Sequence, residues 1–278
     1  MADSATYARM LRSGHLLRAR AMDNMVRLLG LGPGDKVLDV GCGIGLVTGL
    51  LAGAVGGQGL ALGLDMSWDL VAMGPETAAA GTGGTAFVQG DMDHLPIATG
   101  SLDGLLSVDC AGYPVRGGKQ GLQNMLAEFC RVLRPGGTLA LAGWTSQVLL
   151  PGYPELEARL NATCQGLAPY RRGMDPELHF LRALAWLRQG GMAEPRMQAI
   201  TDSLQGPLSP ELRQALLDLL WMRWAGSVDE LSAKERKEYE AITHPESPRN
   251  ILDQEGYAAQ FTYTAFFAEN RDTTVASV

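Results

Sequence analysis

The spacing of apolar and polar positions predicts that strands and helices alternate through the first half of the chain. Short apolar runs predict strands at 37–40, 60–64, 86–89, 102–108 and 138–144. Helical spacing predicts helices at 46–54, 67–80 and 122–133, the second of them kinked or ended early at Gly74-Pro75. Near-continuous apolar strands that alternate with helices are typical of a parallel sheet covered on both faces. The expected fold class is therefore α/β, with a doubly wound sheet.

The rest of the chain is predicted to be mainly helical. One or two amphipathic helices precede the first strand, between residues 5 and 30. Later helices are predicted at 154–164, 176–189, 210–225 and 233–242, and two more strands at 196–203 and 259–268. Asp175 and Ser209 have the sequence context of helix N-caps, and Ser232 with Glu235 that of a capping box.

A glycine-rich turn follows the first strand. Gly41, Gly43 and Gly45 form a G-x-G-x-G pattern, and Leu46 stands where the dinucleotide fingerprint requires its third glycine. Such a turn lets the backbone approach a ligand closely and aims a helix N-terminus at it. Asp65 lies 20 residues after Gly45, at the end of the second strand. A carboxylate there is placed to accept hydrogen bonds from both hydroxyls of a ribose.

Five segments resemble, in order and spacing, the motifs of class I S-adenosylmethionine (SAM)-dependent methyltransferases. They are 37–45, 63–67, 89–96, 101–104 and 133–137, and the resemblance covers roughly residues 36–144. It implies a seven-stranded, mostly parallel sheet in the order 3-2-1-4-5-7-6, with the seventh strand antiparallel. The late strand at 259–268 suits that position.

The resemblance also implies a cofactor site for SAM, with S-adenosylhomocysteine as the product. The glycine loop would approach the methionyl part, Asp65 the ribose, and Asp91 with the backbone of Met92 the adenine. The implied cofactor-binding residues are Asp39, Gly41, Cys42, Gly43, Gly45, Asp65, Met66, Asp91 and Met92. Three structural alternatives stay open: Asp39 as a stabiliser of the loop, Asp65 as a helix N-cap, and Asp91 as a simple turn residue. Cys42 is interpreted as a small residue of the loop rather than a nucleophile.

The methyl acceptor is expected beyond the carboxyl ends of the fourth and fifth strands. Asp109 and Tyr113 lie at that edge, and Asp109 is the candidate for accepting a proton or positioning the acceptor. The alternative is that Asp109 caps a turn or contacts only SAM. Residues 144–147, Trp-Thr-Ser-Gln, replace the Asp-Asn pair of metal-dependent relatives, so no metal is expected.

The predicted helix at 210–225 has an apolar surface wider than one core-facing stripe. We expect residues 1–30 to form a helical lead-in and 31–278 the SAM-binding domain, with helical insertions at about 145–180 and 207–247 that cap the acceptor side. Trp221 and Trp224 are the candidate substrate-pocket residues. A homodimer interface or plain core packing is the alternative for this helix.

Composition narrows the class of partner. Lys plus Arg is 23 and Asp plus Glu is 30, a net charge of −7, which disfavours binding to nucleic acid. The sequence also lacks an Asn-Pro-Pro-Tyr segment after the fourth strand, a motif associated with methylation of nucleic acid bases. It has no apolar run of 18 residues, and its four cysteines lack metal-site spacing. These features predict a cytoplasmic protein that acts neither on nucleic acid nor at a membrane.

The function that these observations favour is methyl transfer from SAM to a small molecule, of apolar or aromatic character, through O, N or C. Two alternatives remain at this stage. An aminopropyltransferase would need an acidic pair for a polyamine after the fourth strand, where only Asp109 is present. A SAM-binding regulatory or scaffold protein would keep the glycine loop and Asp65 but lack a closed acceptor pocket.

Overall fold

The computed structural model describes residues 4–80 and 83–271. The outer ends of the expected lead-in and domain, 1–3 and 272–278, lie outside the described residues. The strands are β1 (Lys36–Val40), β2 (Leu60–Asp65), β3 (Gly84–Gln89), β4 (Leu102–Val108), β5 (Leu133–Val148), β6 (Ala193–Gln205) and β7 (Ala258–Glu269). They form one sheet in the order β3-β2-β1-β4-β5-β7-β6, which confirms the predicted fold class and strand order.

Helices alternate with the strands along the first half of the chain, as the spacing predicted, and a short helix at 168–171 adds to those predicted after it. The helices are α1 (Ser4–Leu28), α2 (Leu46–Val55), α3 (Trp68–Val71), α4 (Gly74–Thr77), α5 (Gly118–Val132), α6 (Pro154–Thr163), α7 (Ala168–Arg171), α8 (Ala183–Gln189), α9 (Pro210–Trp224) and α10 (Ala233–Thr243). Ser209 caps α9, and Ser232 and Glu235 form the predicted capping box of α10.

Strand direction brings the carboxyl ends of the central strands together. β1 pairs in parallel with β2 and β4, with Val40 opposite Leu64, and β2 pairs in parallel with β3. β7 runs antiparallel to β5, since Gly137 bonds with Asn270 while Thr145 reaches the carbonyl of Thr262. The ends of β1, β2 and β4 therefore meet at one edge, where a doubly wound sheet binds its ligands.

Two helical predictions were wrong in detail. The single helix expected at 67–80 is broken into α3, α4 and a 3₁₀ turn, because Pro75 cannot continue the hydrogen-bond ladder. The helix expected at 176–189 becomes two 3₁₀ turns and then α8. Asp175 caps the first 3₁₀ turn as predicted. His179 has an extended backbone, and its side chain caps the N-terminus of the second 3₁₀ turn.

The predicted turn at 134–137 also differs, because it is part of β5. Leu102 pairs with Leu133 and Gly104 with Thr138, so the register shifts across the Pro-Gly-Gly segment and leaves an irregularity in the strand. The segment still changes direction at Gly136, which has a positive φ of 74°. The local turn signal was therefore real, but pairing with β4 extends the strand past it.

The chain divides into two compact units. The first, which we call the loop unit, comprises Arg20–Trp144, Asp175–Ile200 and Tyr263–Val278. Its core is built on the central strands, where Val37, Leu38, Leu105 and Leu139 are fully buried. Burial on both faces of these strands explains why they read as continuous apolar runs.

The second unit, which we call the α9 unit, comprises Met1–Ala19, Thr145–Met174 and Thr201–Thr262. Asp218 of α9 is buried and accepts hydrogen bonds from Arg9, Ser13 and Gln214. The buried Glu157 accepts the backbone N–H groups of Leu149 and Leu150 at 2.8 and 2.9 Å. These buried carboxylates are hydrogen-bonded, as burial of a charge requires. The expected helical insertions lie largely within this unit.

Candidate functional site

The glycine loop is folded tightly against the end of β2. The N–H groups of Gly41 and Cys42 both donate to the carbonyl of Leu64, at 2.8 and 3.0 Å. Gly41, Gly43 and Gly45 all have positive φ, from 53° to 82°, a region that residues with a Cβ rarely adopt. The predicted role of these glycines in a tight turn is therefore met by their backbone conformation.

Space as well as backbone conformation requires glycine here. A Cβ at Gly41 would clash with the sulfur of Cys110. A Cβ at Gly45 would lie 2.7 Å from the ring of Phe87, and one at Gly63 would lie 2.6 Å from it. Phe87, on β3, is a residue that sequence reasoning did not single out. Its ring packs against both glycines and so supports the loop from the side of β2 and β3.

The carboxylate of Asp65 accepts hydrogen bonds from both the glycine loop and the start of the next helix. Its Oδ2 accepts the N–H of Gly43 at 2.9 Å, and its Oδ1 accepts the N–H of Ser67 at 2.9 Å. Each carboxylate oxygen has a further lone pair, so these bonds leave acceptor capacity for a ligand. Asp65 thus connects the carboxyl ends of β1 and β2.

Asp39 lies beneath the loop, 2% exposed, and its Oδ2 accepts the hydroxyl hydrogen of Thr48 at 2.6 Å. Thr48 is in the first turn of α2, so this contact fixes the helix against the end of β1. The contact fits the alternative in which Asp39 stabilises the loop.

The thiols beside the loop are held neutral. Burial, together with Asp39 and Asp65, raises the pKa of Cys42 far above its ordinary value. Burial and the charge of Asp65 raise the pKa of Cys110 to about 12. A thiol that keeps its proton is a poor nucleophile.

Asp91 and Met92 follow β3, next to the end of β2. Oδ1 of Asp91 accepts the N–H of Asp93 at 3.0 Å and a hydrogen of the Arg116 guanidinium at 2.7 Å. Both bonds lower the pKa of Asp91, so the carboxylate is ionised at neutral pH. Arg116 also lies 3.0 Å from the sulfur of Met66. Sequence reasoning missed Arg116, because its partners lie far away along the chain.

Asp109 joins three strands at the same edge. Its Oδ1 accepts the N–H of Trp144 at 2.9 Å, and its Oδ2 accepts the hydroxyl hydrogen of Tyr263 at 2.8 Å. Its φ is 53°, a strained conformation for a residue with a side chain. Tyr263, which no sequence signal indicated, is 1% exposed. Asp109 therefore holds the end of β4 against β5 and β7.

Tyr113 lies beside Asp109 but directs its hydroxyl elsewhere. The hydroxyl donates to the carbonyl of Trp144 at 2.5 Å, and the ring packs edge-on against Phe180 at 5.4 Å. Phe180 in turn contacts Phe266 and Trp186 with edge-on geometry. Tyr113 is thus part of an aromatic cluster within the loop unit.

The predicted cofactor residues, with Asp109 and Tyr113, all belong to the loop unit, whereas the two tryptophans belong to the α9 unit. Trp221 is 52% exposed, and Trp224 is fully buried with its indole N–H donating to Oδ1 of Asn161 at 3.0 Å. Trp224 therefore serves the core of its own unit. Assignment of either tryptophan to a substrate pocket stays a prediction.

Two further features bear on the kind of site. Over residues 4–80 and 83–271, no group of three or more His, Cys, Asp or Glu side chains is arranged to hold a metal ion. Within the same ranges, no helix has the length and apolar character needed to cross a membrane.

Comparison with known proteins agrees with this geometry. Residues 37–137 match the model of the family described as "Methyltransferase domain". Demethylmenaquinone methyltransferase from Shouchella clausii is 36% identical over 124 residues, which are 44% of this chain and 50% of that protein. The chain spans about half, or less, of the length of the curated relatives it matches.

Solved structures share the fold at low sequence identity. The YcgJ protein from Bacillus subtilis superimposes with a TM-score of 0.54 at 17% identity, over 91% of this chain and 99% of that one. Phosphoethanolamine N-methyltransferase 2 from Haemonchus contortus, in complex with SAM, gives a TM-score of 0.50 at 13% identity, over 90% of this chain and 53% of that one. The motif resemblance is confirmed: residues 37–137 match the methyltransferase-domain family, and the strand order is the one that the resemblance to class I SAM-dependent methyltransferases implies.

Proposed function

We propose that this protein transfers the methyl group of SAM to a small-molecule acceptor. The observation that carries the proposal is the double contact of Asp65 with Gly43 and Ser67, at the end of β2 in the segment that matches the methyltransferase family. This carboxylate is presented beside a glycine loop, as recognition of a ribose requires.

The residues present fit SAM as the cofactor. In this proposal the glycine loop lies against the methionyl part, Asp65 accepts hydrogen bonds from the ribose hydroxyls, and Asp91 accepts one from the adenine amino group. Burial, and after it the charges of Asp39 and Asp65, raises the pKa of Cys42, so these two carboxylates contribute a negative field at the loop. Such a field favours a cationic sulfonium. The complex of phosphoethanolamine N-methyltransferase 2 with SAM gives a precedent on the same fold.

Bound SAM supplies an electrophilic methyl group, and the protein's own residues align the acceptor and keep water out. In this displacement, an electron pair of the acceptor O, N or C atom would form the bond to the methyl carbon, while the carbon–sulfur bond breaks and its electrons stay on sulfur. A protonated acceptor must also lose a proton. Asp109 is the candidate group for receiving that proton or for positioning the acceptor, and Tyr113 borders it.

The acceptor is proposed to be apolar or aromatic. The curated relative at 36% identity is named for demethylmenaquinone, a quinone-type acceptor. Cys42 and Cys110 keep their protons, which argues against thiolate binding of a metalloid. The exposed indole of Trp221 offers an apolar contact in the α9 unit.

A turnover assay tests the proposal. The purified protein is incubated with SAM and a panel of quinols, phenols, amines and polyamines, and S-adenosylhomocysteine is measured. We expect S-adenosylhomocysteine and a product 14 mass units heavier with one apolar or aromatic member. Release of methylthioadenosine in place of S-adenosylhomocysteine would mean that the alkyl chain is transferred rather than the methyl group. That result, or binding of SAM without turnover on any acceptor, would contradict the proposal.

The assay has a matched control. Asp65→Asn should abolish turnover at low SAM concentration, because the amide gains a donor where the ribose requires an acceptor. Asp103→Asn should keep it. Asp103 also accepts a backbone N–H, from Lys36 at 2.8 Å, and pairs with Arg134, but it lies at the start of β4.

A further inference from the structure

Arg116 lies among the residues proposed to surround the adenine of SAM. Its guanidinium is 2.7 Å from Oδ1 of Asp91, 3.6 Å from Oδ2 of Asp93 and 3.0 Å from the sulfur of Met66. Met66 follows β2, whereas Asp91 and Asp93 follow β3, so one side chain from beyond β4 contacts the ends of two neighbouring strands. These residues all belong to the loop unit.

The two carboxylate oxygens of Asp91 differ in their hydrogen bonds. Oδ1 receives two donors, the N–H of Asp93 and the guanidinium of Arg116. Among the described residues, no hydrogen bond reaches Oδ2 of Asp91. A carboxylate fixed through one oxygen has its other oxygen oriented as well, because the group is planar. Oδ2 is therefore a preoriented acceptor at the edge where adenine is expected.

The chain segment that carries Arg116 turns sharply on both sides of this residue. Gly112 and Gly117 on either side both have positive φ, 74° and 66°, so the backbone turns sharply at each end. The guanidinium donates an N–H to the sulfur of Met66 at 3.0 Å, and 44% of the side chain is exposed, so part of it remains open to a ligand. An ion pair this exposed contributes little to stability by itself.

We propose that Arg116 is a positioning residue for the adenine of SAM: its guanidinium fixes Asp91 through Oδ1, so that Oδ2 accepts a hydrogen of the adenine 6-amino group. The inference rests on the proposed function, since it requires that SAM binds at this loop. It assigns to Arg116 a role in recognition of the purine rather than in methyl transfer.

The test compares two ligands that differ at the purine 6-position. S-adenosylhomocysteine carries the 6-amino donor, and S-inosylhomocysteine carries a 6-oxo acceptor. Calorimetry on the wild-type protein should show clear preference for the adenosyl ligand. In Arg116→Ala, we expect the Kd of S-adenosylhomocysteine to rise about tenfold, while that of the inosyl ligand changes less than about twofold. The preference should therefore fall about tenfold.

Two further variants separate orientation from charge and from folding. Arg116→Lys keeps the charge but loses the planar fork, so it should restore only part of the preference. Arg134→Ala removes a comparably exposed guanidinium from its pair with Asp103 and should leave both affinities unchanged. Thermal unfolding of each variant should match the wild type within about 2 °C, since both pairs are exposed.

Each outcome decides the proposal. Tighter binding of S-adenosylhomocysteine by Arg116→Ala would mean that the guanidinium competes with adenine for Asp91, and an unchanged preference would mean a surface ion pair without a role; either overturns the inference alone. If the wild-type protein bound neither SAM nor S-adenosylhomocysteine, the proposed function would fail and the inference with it.

Discussion

At the scale of single residues, Asp65 connects the shape of the glycine loop to its chemistry. The carboxylate fixes the N–H of Gly43 and of Ser67, both at 2.9 Å, so it is already oriented before a ligand arrives. An oriented acceptor loses less conformational entropy on binding. The residue that shapes the loop is therefore also the one proposed to contact the ribose.

Replacing Asp65 by alanine should weaken SAM binding by about 1.5–3 kcal/mol, the usual range for hydrogen bonds to a charged group. Isothermal calorimetry measures the change. Asp103→Ala is the control, since its carboxylate also accepts a backbone N–H but lies at the opposite edge of the sheet. Unchanged SAM affinity in a folded Asp65→Ala protein would show that another residue binds the ribose.

The link between Asp109 and Tyr263 gives a prediction about stability. Tyr263→Phe removes a buried hydroxyl that donates to a carboxylate at 2.8 Å, so the free energy of unfolding should fall by about 1.5–3 kcal/mol. Denaturant unfolding measures this change, and SAM affinity should shift less than about twofold. Full stability of Tyr263→Phe would mean that the contact does not hold the strands together.

The thiols of Cys42 and Cys110 should react slowly. At pH 8, a thiol with a pKa of about 12 has roughly a thousandfold smaller thiolate fraction than one near 9. Alkylation followed by peptide mass spectrometry should therefore modify Cys110 far more slowly in the folded than in the unfolded protein. Because folding raises the pKa of Cys110, the free energy of unfolding should decrease as the pH rises above about 9, where the thiol of the unfolded chain ionises more readily than that of the folded protein. Rapid alkylation at pH 8 would contradict the burial of this thiol.

At the scale of elements, the two tryptophans of α9 differ in burial, although the sequence pattern gives them the same predicted role. Trp224 is fully buried and bonded to Asn161, whereas Trp221 is 52% exposed. Both belong to the wide apolar surface of the helix, and periodicity could not distinguish them. Only Trp224 has the indole N–H that bonds to Asn161 of α6, a contact that the sequence pattern does not reveal.

Trp224→Ala should therefore lower the free energy of unfolding by about 3–5 kcal/mol, as a large cavity in the core does. Trp221→Ala should change it by less than about 0.5 kcal/mol. Chemical denaturation of the two variants checks both values. Only Trp221→Ala is suited to testing acceptor binding, since loss of activity in the Trp224 variant would follow from unfolding. Equal destabilisation by the two substitutions would contradict the described packing of α9.

Local signals account for what the sequence predicted correctly. The capping box of α10, the N-cap of α9 and the glycine turn depend on residues within a few positions of one another. The contacts of Asp109 with Tyr263 and of Asp91 with Arg116 span 154 and 25 positions. No local pattern encodes such pairs, because they arise only when strand order brings distant segments to one edge.

At the scale of the whole molecule, a methyltransferase segment at 37–137 accounts for little more than a third of the 278 residues. The strands and helices after it complete the sheet and supply most of the α9 unit. Sequence reasoning predicted the fold correctly because the family motifs lie in the segment at 37–137, and the same motifs are the basis of the proposed cofactor site. It did not identify the individual acceptor, because the later segments carry no comparable motif.

The central claim, that the glycine loop binds SAM, is tested most directly by calorimetric titration of the wild-type protein with SAM, S-adenosylhomocysteine and NAD. Leu46 replaces the third glycine of the dinucleotide fingerprint, and Asp65, which accepts the N–H of Gly43, is the residue proposed to bind the ribose of SAM. We predict one site for SAM and S-adenosylhomocysteine and no measurable binding of NAD. NAD binding at comparable affinity, or no binding of either SAM or S-adenosylhomocysteine, would contradict the claim.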